Sequence, residues 1–273
     1  MSERAEPNVQ LLLSDIDGTL LRPDHSLAEA TVTAVQRLRE AGIQFTVASS
    51  RPPRAMRQII EALGLELPTV AFNGGTLIDA DGKVLTAHHI PESAARTCLE
   101  LFAEHAVAVW VFADDQWLLR DLAGDYVAHE RDTLGYEPVV VESFEPWLER
   151  VDKIVASSAD FDLLKRLEAR LNPRIEGQAL AARSQAYYLD VTALEANKGS
   201  ALAALARYLD IPLANTAAIG DGGNDVAMFR VAGLAIAMGQ AEAEVAGQAD
   251  RVTATNLEDG VAMAIDRFIL SAS

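Results

Sequence analysis

The chain has 273 residues, which is long enough for one large α/β domain or for two modest domains that each bury a hydrophobic core. Half of the residues are hydrophobic and 23% are charged, so the composition excludes a disordered chain and indicates a folded enzyme or binding protein. The net charge is −17 and no segment is strongly basic, which argues against nucleic acid as a standing partner because such binding requires clustered Lys and Arg.

The cysteine content and the hydropathy pattern indicate the compartment. Cys98 has no second cysteine to pair with, so nothing in the sequence calls for an oxidising compartment. Residues 1–10 are polar and charged, and no later stretch approaches the roughly 18 apolar residues that span a bilayer. We therefore expect a cytoplasmic protein without a membrane partner, and the sequence leaves its oligomeric state open.

Strand-like and helical segments alternate in the first part of the chain. Ser26 and Glu29 have the spacing of a helix capping box and Gly42 is a typical helix stop, so a helix is predicted between them. The alternation predicts a doubly wound parallel sheet covered by helices, which is a Rossmann-like α/β core. The other predicted elements here are strands at residues 9–13, 43–48 and 69–72, a helix at 52–64 and a hairpin at 77–85.

The pattern changes near residue 85 and changes back near residue 190. Between these positions aromatic residues gather and the spacing of apolar runs becomes irregular, which predicts a second, smaller α/β domain at 85–189. The core is therefore predicted at 1–84 and 190–273. Predicted elements of the inserted domain are helices at 92–105 and 160–171 and strands at 107–112, 153–156 and 186–191. Later core elements are helices at 198–208, from 224, at 242–246 and at 257–269, and strands at 216–219 and 234–237.

Polar residues follow directly on four strand-like runs of the predicted core. In a parallel sheet the carboxyl ends of the strands share one edge, and ligands of open α/β sheets bind there. Each of these residues alone is more often a turn or helix-cap residue, but four such clusters together predict a functional cleft. The clusters are Asp15-Ile16-Asp17-Gly18-Thr19, Ser49-Ser50-Arg51, Asn73-Gly74-Gly75 and Gly220-Asp221-Gly222-Gly223-Asn224-Asp225.

The residue types in these clusters predict a site for phosphate and a hard cation. Asp15 and Asp17 are two apart on an extended segment, so their carboxylates share one side and repel each other unless a cation lies between them or one is protonated. Asp221 and Asp225 add oxygen ligands of the kind that Mg²⁺ prefers, whereas the five histidines lack zinc-type spacing. Lys198 begins a predicted helix and is suited to neutralising phosphoryl oxygens.

In order and spacing, four segments resemble the motifs of the haloacid dehalogenase superfamily, and within it the Cof-type phosphatases, in which an α/β cap is inserted into the core. The resemblance covers nearly the whole chain. This sequence departs from the pattern with Ser49 where Thr is commoner, Ser50 where Gly is usual and Gln240 where the subgroup often has Asn. The four matching segments are Asp15 through Leu20, Ser49, Lys198 and Gly220 through Asp225.

The resemblance implies a Mg²⁺-dependent phosphatase acting on a small phosphorylated metabolite, such as a sugar phosphate. Asp15 would attack phosphorus to give an aspartyl-phosphate, and Asp17 would protonate the leaving oxygen and then activate water. Arg51 is either a phosphate contact or a helix-start residue that pairs with an acid. By resemblance the metal ligands are Asp15, Asp17, Asp221 and Asp225, and the phosphate ligands are Ser49, Ser50, Lys198 and Asn224.

Other functions are compatible with parts of this pattern. A phosphomutase of phosphomannomutase-like architecture stays open, because the same chemistry can return the phosphoryl group to a sugar. A receiver-type phosphoacceptor domain is disfavoured by its smaller size and lack of an insertion. A non-catalytic binding protein is disfavoured because Asp15 and Asp17 are both present, and a dehalogenase because a halide needs no proton from Asp17.

Overall fold

The structure is a computed structural model that describes residues 8–272. Residues 1–7, part of the polar segment on which the expected compartment rests, and residue 273 lie outside the described residues. Within residues 8–272 no helix has both the length and the apolar character needed to cross a membrane. The strands are β1 Leu11–Asp15, β2 Gln44–Ala48, β3 Thr69–Ala71, β4 Thr76–Ile78, β5 Val84–Ala87, β6 Ala108–Ala113, β7 Gln116–Leu119, β8 Val139–Val140, β9 Val151–Ser157, β10 Ala179–Gln185, β11 Tyr188–Ala193, β12 Thr216–Gly220, β13 Leu234–Ala237 and β14 Arg251–Val252. The helices are α1 Glu29–Glu40, α2 Pro53–Leu63, α3 Glu92–Ala103, α4 Val127–Leu134, α5 Phe161–Leu171, α6 Lys198–Tyr208, α7 Val226–Phe229, α8 Ala243–Ala246 and α9 Gly260–Ala264.

The larger sheet is parallel over most of its width. Its strand order is β14-β13-β12-β1-β2-β3-β4-β5, and neighbours from β14 to β3 run parallel, whereas β3 and β4 are antiparallel. In this register Leu11 lies beside Gln44 on one side and Thr216 on the other. Every residue of β1 is buried, as expected for the inner strand of a parallel sheet covered on both faces. The predicted parallel-sheet core is confirmed.

The described residues form two compact units. The first contains the larger sheet and comprises residues up to 50, 56–85 and those from 197 onward, and the second comprises residues 51–55 and 86–196. In the first unit, α6 and α7 bury apolar side chains against the sheet. This packing fixes the helix that begins at Lys198 to the sheet. This cluster includes Leu11, Leu13, Ala218, Leu202, Leu205 and Met228.

The second unit is built on a smaller sheet. Its order is β10-β11-β9-β6-β7-β8, and neighbours are antiparallel except β7 and β8. Helices α3 and α5 cover one face, where Cys98 and Leu167 pack with Val111 and Ile154. Burial raises the pKa of the Cys98 thiol to about 12. Since side chains alternate across a strand, Trp110 and its even-numbered neighbours on β6 face the other way.

The mixed α/β fold agrees with the sequence prediction, but several element bounds differ. Helix α6 and strand β13 have the predicted bounds. The capping box is wrong, because α1 begins at Glu29 after Ala28, and the Ser26 hydroxyl instead donates to Asp24 at 2.6 Å. The helix predicted at 257–269 is interrupted, with α9 continuing into a wider turn at Ile265–Ile269. Elements absent from the prediction are β7, β8, β10, β14 and α4.

We expect Leu202→Ala to lower the free energy of unfolding of the first unit by about 2–5 kcal/mol, because Leu202 is fully buried and its truncation leaves a cavity. Leu257→Ala is the matched control, since 65% of Leu257 is exposed and the change should cost no more than about 0.5 kcal/mol. Urea denaturation followed by circular dichroism measures both values. Equal losses in the two variants would contradict the assigned core.

Candidate active site at the carboxyl edge of the parallel sheet

The polar clusters of the sequence lie at one end of the parallel strands. Asp15 is the last residue of β1, Ser49 follows β2, Asn73 follows β3 and Asp221 follows β12. Because these strands are parallel neighbours, the four positions share one edge of the sheet. Hydrogen bonds connect members of all four clusters. Except for Arg51, the residues of these clusters belong to the first unit.

Lys198 carries the central interaction of the site. Asn197 caps helix α6, its side-chain oxygen accepting the Ser200 amide at 2.8 Å, and the fully buried Lys198 is the first residue of that helix. Lys198 Nζ donates to Asp15 Oδ1 and, at 2.5 Å, to Asp225 Oδ1. Burial alone lowers the pKa of this lysine, but attraction to Asp15 and Asp225 outweighs burial and raises the pKa. Lys198 is therefore charged at neutral pH.

Asp225 holds the loop after β12 in position. This residue is completely buried, and its Oδ2 accepts the backbone N–H groups of Asp221 and Gly222, each at 2.9 Å. Its other oxygen accepts from Lys198. Both oxygens thus have donors, so the carboxylate links the loop to the start of α6. Asp225 is in this sense a positioning residue.

The loop after β1 fixes the carboxylate of Asp221. The Thr19 hydroxyl donates to Asp221 Oδ1 at 2.9 Å. Gly18 lies against the same carboxylate with φ +81°, and a Cβ at this position would collide with it, so the backbone here requires glycine. Gln240 Nε2 donates to the carbonyl of Gly18 at 2.5 Å. Burial raises the pKa of Asp221, while the bond from Thr19 opposes this shift.

Three carboxylates converge at the centre of the site. One oxygen each from Asp15, Asp221 and Asp225 lies within 4.8 Å of the others. Burial raises the pKa of Asp15 well above its ordinary value, with Lys198 opposing and the charges of Asp225 and Asp17 adding to the shift. Asp17, two residues along the chain, is half-buried. An all-oxygen cluster of this kind can hold a hard cation.

The predicted phosphate ligands other than Lys198 lie around this cluster. Asn224 is exposed, and its side-chain amide donates to Asn73 Oδ1 at 3.0 Å. The backbone N–H of Asn73 in turn donates to the backbone carbonyl of Ser49 at 2.8 Å, and Asn73 lies in the left-handed region at φ +58°. Ser49 is fully buried and Ser50 half-buried. The guanidinium of Arg51, a residue of the second unit, donates to the Ala55 carbonyl at 3.5 Å.

The structure adds three residues to those predicted from sequence. Thr19 and Asn73 lie within the quoted polar clusters, but only the fold reveals that they bind Asp221 and Asn224. Gln240 follows β13, and its side chain donates to the Gly18 carbonyl and accepts a hydrogen bond from the backbone N–H of Asn256 at 3.1 Å. Because Gln240 is more than 200 residues from Gly18, no local pattern connects the two.

A protein family described as haloacid dehalogenase-like hydrolase matches the chain over residues 12–265. The chain belongs to this family. The match includes every predicted site residue from Asp15 to Asp225, and it confirms the superfamily and the hydrolase class that the sequence motifs predicted.

Solved structures of haloacid dehalogenase-like proteins share the fold over almost the whole length. A haloacid dehalogenase-like hydrolase from Bacteroides thetaiotaomicron is 26% identical with a TM-score of 0.87, covering 95% of this chain and 99% of that one. The phosphatase BT1666 of the same organism is 27% identical with a TM-score of 0.82, covering 98% of both chains. The subclass IIB sugar phosphatase BT4131 is 25% identical with a TM-score of 0.84, covering 95% and 99%.

Removing the buried ammonium group should destabilise the protein in the absence of divalent cations. We expect Lys198→Met to lower the free energy of unfolding by about 3–5 kcal/mol, because Asp15 and Asp225 then remain buried without the charge between them. Lys83→Met, at an exposed position of the same unit, should change it by no more than about 0.5 kcal/mol. Chelator-treated samples unfolded in urea provide the comparison, and a loss in Lys198→Met no larger than in the control would count against the buried ion cluster.

Proposed function

We propose that this hydrolase is a Mg²⁺-dependent phosphatase that acts on a small phosphorylated metabolite through an aspartyl-phosphate intermediate. The observation that carries the proposal is the buried Lys198 between Asp15 and Asp225, beside the three carboxylate oxygens within 4.8 Å of one another. A carboxylate nucleophile, a fixed cationic side chain and oxygen ligands for a metal ion are the groups that phosphoryl transfer requires.

The donor set fits a hard divalent cation. It contains carboxylates without a nitrogen or sulfur ligand, which suits Mg²⁺. The missing side chain of Gly18 also leaves open the space in front of the Asp221 carboxylate. The carboxylates of Asp15 and Asp221 and the backbone carbonyl of Asp17 would hold the ion, with Asp225 supporting them. When bound, the ion would lower the repulsion between the attacking carboxylate and the phosphate.

Asp15 is the proposed nucleophile and Asp17 the proposed acid and base. Asp15 is fixed by strand pairing and by Lys198, so its carboxylate is oriented before substrate binds. A new bond from a carboxylate oxygen to phosphorus forms as the ester P–O bond breaks, and Asp17 gives its proton to the leaving oxygen. Asp17 then takes a proton from water, whose oxygen displaces Asp15 and releases phosphate.

Four side chains are proposed to bind the transferring group. Lys198 would contribute its charge to the phosphoryl oxygens, and the hydroxyl and amide groups of Ser49, Ser50 and Asn224 would donate hydrogen bonds. The hydrogen bonds from Asn224 to Asn73 and from Asn73 to Ser49 support this assignment, because they connect the loops after β12, β3 and β2. Binding of this kind positions the phosphoryl group and balances the charge that develops in the transition state.

A sugar phosphate or a similar metabolite is the proposed substrate. The similarity to the sugar phosphatase BT4131 supports this class.

We also propose that the inserted cap, predicted at residues 85–189, sets substrate choice, since Asp15, Ser49, Lys198 and Asp221 lie outside it. Measurement of phosphate release against formation of an isomeric sugar phosphate separates a phosphatase from a phosphomutase. The cytoplasmic location and the lack of a nucleic-acid partner, both expected from the sequence, complete this proposal.

The Asp15→Asn variant should fold but lose activity by about a thousandfold or more, because a neutral amide is a poor nucleophile. The measurement is kcat/KM for p-nitrophenyl phosphate with Mg²⁺, together with circular dichroism to confirm folding. Asp81→Asn, at an exposed position of the same unit, is the control and should retain wild-type turnover. Comparable turnover in a well-folded Asp15→Asn protein would exclude the covalent route.

Activity should depend on a hard divalent cation. After exhaustive chelation we expect hydrolysis of p-nitrophenyl phosphate to disappear, and added Mg²⁺ should restore it, because the proposed ligands are all oxygen atoms. Added Mg²⁺ should also raise the Tm of the wild type more than that of Asp221→Asn, since a ligand bound to the folded state stabilises it. Full activity in a sample shown by mass spectrometry to contain no metal would be incompatible with this dependence.

A further inference from the structure

The turn that follows β1 is irregular at Asp17. Residues Ile16–Leu20 form a wide helical turn, but Asp17 at ψ 123° and Gly18 at φ +81° do not have helical dihedral angles. The regular pattern of backbone hydrogen bonds is broken at these two residues, so their polar groups need partners from elsewhere in the fold. The conformation of this turn therefore depends on contacts from outside it.

The side chain of Gln240 supplies one of these contacts. Gln240 Nε2 donates to the Gly18 carbonyl at 2.5 Å, and Gln240 Oε1 accepts a hydrogen bond from the backbone N–H of Asn256 at 3.1 Å. A carbonyl can only accept and a backbone N–H can only donate, so these partners fix which end of the amide faces which segment. Because both ends are bound, Gln240 connects the turn after β1 to the segment 254–259 in a single orientation.

Two further contacts join the same two segments. The side chain of the buried Asn256 donates from Nδ2 to the Leu21 carbonyl at 2.8 Å, and Arg22 pairs with Asp259 at 2.9 Å. These contacts hold the chain just beyond the end of the turn. That end is thus anchored independently of Gln240.

Asp17 lies between two residues that are each held in place. Ile16 is fully buried on one side of it along the chain. On the other side Gly18 lies against the Asp221 carboxylate, while its carbonyl binds Gln240. The position of the Asp17 carboxyl therefore follows from the contacts of its neighbours.

Gln240 is exposed, which separates its local effect from the stability of the core. An exposed side-chain hydrogen bond contributes little to the free energy of unfolding, because water replaces it when it is broken. Loss of the Gln240 amide should therefore leave the protein folded and free the Gly18 peptide locally.

We propose that Gln240 is a positioning residue that holds Asp17 in place as the proton donor to the leaving oxygen. The inference rests on the proposed phosphatase function and identifies how its acid is oriented. As the bond from Asp15 to phosphorus forms and the ester P–O bond breaks, the proton of the Asp17 carboxyl passes to the leaving oxygen. When the Gly18 peptide is free, this carboxyl is less often within reach of that oxygen and proton transfer slows.

The first test uses leaving groups that differ in their need for a proton. p-Nitrophenolate is a weak base that leaves without protonation, phenolate is intermediate, and the alkoxide from glycerol 2-phosphate is a strong base that needs the proton. The measurement is kcat/KM for the three esters at saturating Mg²⁺, in wild type and in Gln240→Met, because this constant includes the step in which the leaving group departs. We expect the loss on glycerol 2-phosphate to exceed the loss on p-nitrophenyl phosphate at least tenfold, with phenyl phosphate between them.

Two other variants distinguish positioning from a general structural role. Gln58→Met, at an exposed position on α2 of the same unit, should keep all three values within twofold of wild type. Gln240→Glu retains an acceptor for the Asn256 N–H but places a negative oxygen against the Gly18 carbonyl, so its selectivity should match that of Gln240→Met. Equal losses on all three esters, or failure of both Gln240 variants to fold, would make Gln240 a structural residue and overturn the proposal.

Amide hydrogen exchange keeps this inference separate from the proposed function. Exchange in residues 16–22 is measured by mass spectrometry for wild type, Gln240→Met and Gln58→Met without substrate. Gln240→Met alone should exchange there at least tenfold faster, and residues 44–48 of β2 should be unchanged, because only the turn loses a contact. Unchanged exchange in the turn would overturn the positioning role. If wild type hydrolyses none of the esters, the proposed phosphatase function fails by itself, and faster exchange in the turn would still support the positioning of Asp17 by Gln240.

Discussion

The site depends on one buried ammonium group held between two carboxylates. Lys198 and Asp15 are 183 residues apart, and their contact joins the end of β1 to the start of α6, while Asp225 joins the loop after β12 to the same lysine. Each of these charges would be costly to bury alone, and together they are compatible with the interior because the opposite charges offset desolvation. The register of the parallel sheet therefore has to be correct before any of the three groups is stable.

The sequence predicts the core well, and it predicts that the polar clusters meet at one sheet edge, because the relevant signals are local. A buried strand followed by carboxylates is visible at Asp15 and Asp221, and the parallel order of the strands brings such positions to one edge. Ser26 failed as a helix cap because a nearer partner, Asp24, competes for its hydroxyl. The contribution of Gln240 was invisible because it acts on the carbonyl of Gly18 across the fold. Long-range contacts of this kind have no sequence periodicity.

The second unit was harder to predict because two of its strands, β7 and β8, are short and because the two faces of its sheet differ. Strand β7 has only four residues and follows a turn in which Asp114 and Asp115 both have positive φ. It is therefore too short to show the alternation of apolar and polar residues that predicts a strand. The sequence shows that aromatic residues gather in this unit, but the placement of Trp110 and Trp117 opposite the helices follows only from the sheet register. The same register separates an apolar face from one that carries charges, which composition alone does not distinguish.

The buried thiol of Cys98 gives the second unit an internal reporter. It is the one sulfur nucleophile of the chain, it has no exposed surface, and burial raises its pKa to about 12, so almost no thiolate exists at neutral pH. A thiol reagent can reach it only when the packing between α3 and the smaller sheet opens. The rate of alkylation under native conditions is thus a direct measure of local opening in this unit, independent of the state of the larger sheet.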